Sequence, residues 1–319
     1  MTADAAKPSP PASQGPTSTA ATPTAPASHA PTSTAATPTA PTSSAPTSTA
    51  ATPTVPTFTA GAYRDAAVTM AREAARVILP HFRVPIVIDD KGSPANYDPV
   101  TEADRAAEDV IRAAIGRDFP GHGIRGEEHG WQRGDSALTW VIDPIDGTRS
   151  FILGQMHWAT LIAVHDGERV LAGVAHQPYV DETFTGVAAG PAEWRRGSER
   201  RNLRTRACRS IDTAVLACTD PKMFASAVDL AAFQRVADSA RLVRYGGDCY
   251  AYCLLAMGLI DIVIESSLKA WDVQALIPIV EGAGGRITTW DGGRAEEGGA
   301  VVATGDPGLH AAVLERLAG

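Results

Sequence analysis

The sequence predicts a layered fold of the α/β or α+β class, and three observations lead there. Short runs of β-branched and apolar residues recur along the chain, at 138–142, 158–165, 170–177 and 260–265. Between them lie stretches whose apolar residues repeat at helical spacing, as at 61–82 and 225–238. The two kinds alternate from about residue 60 onwards, and such a chain buries the faces of both only by stacking them in layers.

Residues 1–57 stand outside that pattern. They are almost entirely Pro, Thr, Ala and Ser, and only Asp4 and Lys7 carry charge. The string PTSTAATPT begins at Pro16, Pro31 and Pro46. Units without large apolar side chains cannot stack into a solenoid, so a disordered tail with polyproline character is expected. The tail lacks the basic start and apolar core of a secretory signal and the arginines of a transit peptide, so a cytoplasmic location is expected.

The remaining elements follow in order. Residues 61–82 form a first helix, with Ala62, Ala66, Met70, Ala74, Val77 and Ile78 on one face. Gly92, Pro94 and Pro99 punctuate an irregular stretch. A second helix starts after Thr101, whose hydroxyl suits a cap, with Asp104 and Glu108 in its early turns. A Gly-flanked loop carries Glu127 and Glu128 into the buried strand 138–142. Strands 158–165 and 170–177 form a hairpin at Asp166-Gly167, and 182–188 adds a further strand. Then come a strand at 213–219, helices at 225–238 and 249–258, the strand 260–265, a helix at 272–283 and a strand at 286–290. A folded domain over 58–319 is expected, in two closely packed lobes of roughly 58–190 and 191–319.

Composition removes several function classes. No apolar run is long enough to span a bilayer. The formal net charge of −8 argues against nucleic acid as a partner, because phosphate backbones call for a basic face. Cys208, Cys218, Cys249 and Cys253 have no zinc-type pairing, and Cys249 and Cys253 read as packing residues of a helix. There is no Gly-rich Walker loop and no kinase signature.

The chemistry is concentrated in Asp143-Pro-Ile-Asp146-Gly-Thr148, directly after a buried strand. Two carboxylates separated by a rigid Pro, with the Ile145 carbonyl, can face one point and offer hard oxygen ligands to a divalent cation. Gly147 lets backbone N–H groups approach a phosphate closely. Glu127 on its loop and Asp272 at a helix start add acids at element boundaries, where sites on layered folds sit.

Three blocks resemble the inositol monophosphatase family: Gly126-Glu-Glu128; Trp140-Val-Ile-Asp-Pro-Ile-Asp-Gly-Thr148; and Trp271-Asp272-Val-Gln-Ala275 with Glu281-Gly-Ala-Gly-Gly285. Asp98-Pro-Val-Thr-Glu-Ala-Asp104 is similar to the family's upstream acid motif. The resemblance implies an α+β fold, a layered αβαβα sandwich of the inositol monophosphatase and fructose-1,6-bisphosphatase type. It implies hydrolysis of small phosphate monoesters with two or three Mg²⁺ ions per site, and a homodimer. By that resemblance Glu127, Asp143, the Ile145 carbonyl, Asp146 and Asp272 hold metal. Asp104 and Thr148 activate the attacking water, with Glu127 shared between metal and waters, and Gly147 and Thr148 bind phosphate.

Within the family the details look most like the histidinol-phosphate phosphatase branch. The segments that carry this are Arg149-Ser-Phe-Ile152, Leu203-Arg-Thr-Arg206-Ala-Cys208, Thr219-Asp-Pro-Lys-Met-Phe224, Tyr245-Gly-Gly-Asp248-Cys-Tyr-Ala-Tyr252 and Gln274-Ala-Leu-Ile-Pro-Ile279. Histidinol phosphate carries an ammonium and an imidazole, so acids are wanted in its pocket. Glu265 matches a position that contacts the leaving group, and Asp248 either pairs with the ammonium, caps the following helix, or does both. Arg149 contacts substrate phosphate or pairs with a neighbouring acid. An inositol-1-phosphate or broad sugar-phosphate phosphatase is the alternative, and a non-catalytic metal-binding homologue is the reading from another class.

Overall fold

In the computed structural model, residues 58–92 and 98–319 are described, so the expectation for the tail falls outside them. Helix α1 (Ala60–Ile78) is capped by the Thr59 hydroxyl, which accepts from the Ala62 N–H. An antiparallel pair, β1 (Ile88–Asp90) and β2 (Pro99–Thr101), follows. Helix α2 (Glu102–Asp118) opens with a capping box: the Thr101 hydroxyl accepts from the Ala103 N–H, and the Asp104 carboxylate accepts from the Thr101 N–H at 2.8 Å.

Strands β3 (Gly123–Gly126) and β4 (Gly130–Gln132) form a short hairpin, β5 (Thr139–Asp146) lies parallel to β3, and α3 (Thr148–Ile152) follows. Antiparallel β6 (Ala159–His165), β7 (Val170–Gln177), β8 (Glu182–Val187), β9 (Glu193–Arg196) and β10 (Glu199–Asn202) complete an eight-stranded sheet, in the order β10-β9-β8-β7-β6-β5-β3-β4. The β6–β7 hairpin turns at Asp166-Gly167, with the Asp166 N–H donating to the Arg169 carbonyl.

The second half alternates. It runs β11 (Val215–Cys218), α4 (Ala227–Ala237), β12 (Leu242–Tyr245), α5 (Asp248–Ala256), β13 (Ile262–Leu268), α6 (Ala270–Val273) and α7 (Leu276–Gly282). Strands β14 (Arg286–Thr289) and β15 (Gly299–Thr304) and helix α8 (Pro307–Ala318) end it. Its sheet has the order β12-β11-β13-β15-β14, with β11 parallel to both neighbours.

Side-chain alternation explains the layering. On β6, Ile162 and Val164 point to a core shared with α1 and α2, while Leu161 and Ala163 point to one shared with α5, α6 and α7. A strand buried on both faces must read as a continuous apolar run, which is why 158–165 does so. The second sheet turns Val263, Val301 and Ala303 toward the middle helices and Ile262, Ile264 and Val302 toward α4 and α8. The stack is therefore helix pair, sheet, helices, sheet, helix pair: the αβαβα sandwich.

Helix α7 lies close on the large sheet because Gly173 and Gly186 face each other across β7 and β8. A Cβ at either position would come within 2.1 Å of a carbonyl oxygen, of Ala275 and of Pro278 respectively. The helix expected over 272–283 is broken into α6 and α7. Pro278 removes an N–H, and its ring crowds the carbonyl of Gln274, so the helical ladder cannot run through that point. Among the described residues, no helix is long and apolar enough to cross a membrane.

Candidate active site

The strand expected to stop at Ile142 continues to Asp146, and this places the acids. Asp143 pairs with Leu161 of β6, and Asp146 with Ala159, so three steps on β5 match two on β6. Three steps along a regular strand would send Asp143 and Asp146 to opposite faces. The bulge absorbs the extra residue at Pro144, which has no N–H to give the ladder, and both carboxylates end on the face of the middle helices. The Thr160 hydroxyl closes the bulge by donating to the Pro144 carbonyl at 2.8 Å.

Helix α6 brings the third acid. The Asp272 carboxylate accepts from the Lys269 N–H at 2.7 Å, which fixes its rotamer at the helix start. One carboxylate oxygen each from Asp143, Asp146 and Asp272 lies within 4.8 Å of the others. The Cys249 N–H, at the start of α5, donates to Asp146 at 2.8 Å. Glu127 borders the group, and its charge, with those of Asp146 and Asp272, acts on Asp143.

Burial dominates the electrostatics. It raises Asp143 and Asp146 well above the ordinary carboxylate value, and the neighbouring acids push further in the same direction. Asp272 is pushed up to about 7 by burial, against the lowering effect of its bond to Lys269. Glu127 is raised by burial, partly offset by Lys91. A cluster of hard oxygen donors that resists carrying several negative charges fits a divalent cation, which would supply the missing positive charge.

Beside the cluster, the Thr148 hydroxyl lies 3.0 Å from the Ile145 carbonyl and 3.3 Å from an Asp104 oxygen. With one proton it donates to one of them at a time. Asp104 is fully buried, and burial lifts it to about 6 although both Thr101 donors lower it. Gly147 sits at φ +86°, where a Cβ would come 2.5 Å from the His157 carbonyl. Only glycine fits that turn. The N–H groups of Gly147 and Thr148 stand at the start of α3, where helix geometry offers them no partner.

Of the two remaining acids, Asp248 stands beside Gly147. Asp248 is the first residue of α5 at φ +43°, and a Cβ on Gly147 would be 3.2 Å from its side chain. It does not cap its helix: the carboxylate accepts from the Ser150 hydroxyl at 2.6 Å, while the Thr219 hydroxyl accepts the Asp248 N–H. Burial raises Asp248, and Ser150, His157 and Arg149 lower it, which puts the Arg149 charge near that acid. Glu265 accepts from the N–H and hydroxyl of Thr219 and from the Tyr252 hydroxyl, and burial lifts it to about 7.

Lys91 was not singled out in the sequence. Its ammonium bonds Glu127 at 3.0 Å and Glu128 at 2.7 Å, and although burial works against it, these two acids raise its pKa. It sits just past a strand too short to show periodicity. The roles of Thr219 and Ser150 in holding Glu265 and Asp248 were equally hidden, because both partnerships are distant in sequence.

An αβαβα sandwich with a partly buried acid cluster at a strand bulge and a Gly-Thr turn beside it defines a hydrolase of phosphate esters. The model of the inositol monophosphatase family matches residues 62–318, and the chain belongs to that family. It is 40% identical over 267 residues to the bifunctional phosphatase IMPL2, chloroplastic, of Arabidopsis thaliana, covering 80% of this chain and 75% of that one. It is 36% identical over 220 residues to a histidinol-phosphatase of Mycobacterium tuberculosis, covering 69% and 84%. Among solved structures, an inositol monophosphatase from Zymomonas mobilis superposes with a TM-score of 0.71 at 38% identity, covering 80% of this chain and 97% of that one.

Proposed function

We propose that this phosphatase is Mg²⁺-dependent and hydrolyses L-histidinol phosphate to L-histidinol and inorganic phosphate, a step of L-histidine biosynthesis. Asp143, Asp146 and Asp272, with Glu127 and the Ile145 carbonyl, would hold the metal. Bound there, Mg²⁺ would lower the pKa of water and offset charge on the phosphoryl oxygens. The protein's own groups do the rest. Asp104 accepts the Thr148 proton in a hydrogen bond, which leaves the Thr148 oxygen free to accept from a water and aim it at phosphorus. The N–H groups of Gly147 and Thr148 hold phosphate oxygens. The attacking water's proton passes by way of the Thr148 oxygen toward Asp104 as the phosphorus–ester bond breaks; the ester oxygen leaves as the alcohol by taking a proton from a second water, and the proton held at Asp104 returns to the hydroxide left behind.

The observation that carries the substrate reading is Asp248. A half-buried acid, raised by desolvation and set against the phosphate turn, favours a leaving group that brings positive charge. Glu265 adds a second acid, raised first by burial and further by the Asp248 charge. The likeness to the histidinol-phosphatase of M. tuberculosis supports the same reading. The likeness to the Z. mobilis inositol monophosphatase favours the other, inositol 1-phosphate or a broad range of sugar phosphates.

Phosphate release measured on histidinol phosphate, inositol 1-phosphate and fructose 1,6-bisphosphate separates them. Far faster turnover of inositol 1-phosphate would refute the histidinol reading. Asp248→Ala should raise KM for histidinol phosphate roughly tenfold, about 1.4 kcal/mol for a charge-assisted bond, and that for a neutral ester much less. Equal effects on both would remove Asp248 from substrate recognition.

A further inference from the structure

We infer that Glu108 is a positioning residue: its buried carboxylate fixes the backbone of the turn that carries Glu127, and so sets where that side chain meets the acid cluster. The inference rests on the metal site proposed above. Glu108 is fully buried on α2 and has no part in the chemistry described so far.

Three donors converge on its two oxygens. The Glu128 N–H donates at 2.7 Å, the His129 N–H at 3.2 Å and the Arg112 Nε at 2.6 Å. Arg112 then reaches past the turn and donates to the Gly130 carbonyl at 2.5 Å. The turn is thus held on its N–H side by a carboxylate and on its carbonyl side by the guanidinium paired with that carboxylate. Hydrogen bonds to ionised groups are roughly twice as strong as neutral ones, so the turn has little freedom to tilt. Gly126 shows how close the fit is, because a Cβ there would lie 2.0 Å from a Glu108 oxygen.

The spacing adds a second argument. Asp104, Glu108 and Arg112 follow at intervals of four on one helix, so they share a face. Asp104 meets Thr148 at one end of that face, and Glu108 grips the Glu127 turn one helical turn further on. A single rigid helix therefore fixes the distance between the group that orients the water and the turn that delivers a metal ligand. A buried ion pair serving stability alone would need no backbone N–H groups from that particular turn, and such pairs add little net stability.

The test is a calorimetric titration of the metal-free full-length chain with Mg²⁺. Glu108→Gln puts an amide N–H₂ where N–H donors point, so the turn loses at least one anchor. Mg²⁺ affinity should fall roughly tenfold, the scale seen when outer partners of metal ligands are removed, with the far-UV spectrum unchanged. Arg112→Lys keeps the charge but cannot bridge Glu108 and Gly130 as a fork, and should weaken Mg²⁺ binding in the same direction by less. A lowered Tm with Mg²⁺ affinity unchanged in a folded Glu108→Gln protein would overturn the inference. If that variant does not fold, unchanged affinity in Arg112→Lys overturns it. Asp143→Asn separates the two levels: if it too binds Mg²⁺ normally, the metal-site reading fails, and if only Asp143→Asn loses binding, Glu108 alone is wrongly placed.

Discussion

At the residue scale, the site is decided by what each carboxylate is denied. Asp143 is buried, bonded by the Ile145 N–H at 3.1 Å, and crowded by Glu127, Asp146 and Asp272. Such a group has little to gain from its charge until a cation arrives. Asp143→Asn should therefore cut turnover by roughly a thousandfold, the equivalent of several kcal/mol of charge stabilisation, and leave the metal-free Tm unchanged or higher. Steady-state kinetics and scanning calorimetry read both, and retained turnover would sink the assignment. That the acids at 143, 146 and 272 gather at one place was legible from the sequence, because they stand at the ends of elements. The partners that hold the site in place, such as Lys91 on Glu127 and Thr219 on Glu265, were not, because a hydrogen bond spanning 36 or 46 residues leaves no local pattern.

At the scale of elements, the cap of α2 does two things at once. The Thr101 hydroxyl and N–H both donate to Asp104, closing the capping box and lowering that acid against its burial. Thr101→Ala should cost about 1 kcal/mol of stability. It should also move the acid limb of the pH–rate profile, expected near the Asp104 value of about 6, to higher pH, because a lowering influence is gone. A profile that stays in place while Tm falls would separate Asp104 from the reaction. The helix itself was legible from the Thr101 cap and the acids Asp104 and Glu108 in its early turns. The bulge on β5 was not, because nothing in Asp-Pro-Ile-Asp says whether the chain turns away or stays in the sheet; pairing with β6 decides it. Pro278 did carry a signal against one helix over 272–283, and the apolar periodicity on either side of it masked the break.

At the scale of the whole molecule, the buried acids make stability depend on pH and metal together. Asp272 and Glu265 rest at about 7 in the folded chain, and Asp143 and Asp146 lie well above the ordinary value near 4. The folded state thus holds protons that the unfolded chain has already released. Stability from these groups is full below pH 4 and is lost as pH rises through their folded values. Buried His176 and His310 act in the opposite sense. Burial lowers both to about 4, so they add stability as pH rises toward 6.5, and that gain is complete there. Between pH 6.5 and 8 only the acids still change, and the metal-free protein should lose several degrees of Tm, at about 2–4 °C per kcal/mol for a domain this large. Millimolar Mg²⁺, held by the deprotonated acids as proposed, should stabilise most where the metal-free protein is weakest, flattening the curve. Scanning calorimetry in EDTA and in Mg²⁺ at half-unit pH steps measures both curves, and Asp272→Asn should reduce the EDTA slope. A metal-free Tm that rises across this window would mean that the clustered acids do not hold their protons, and the electrostatic account of the site would fall with it.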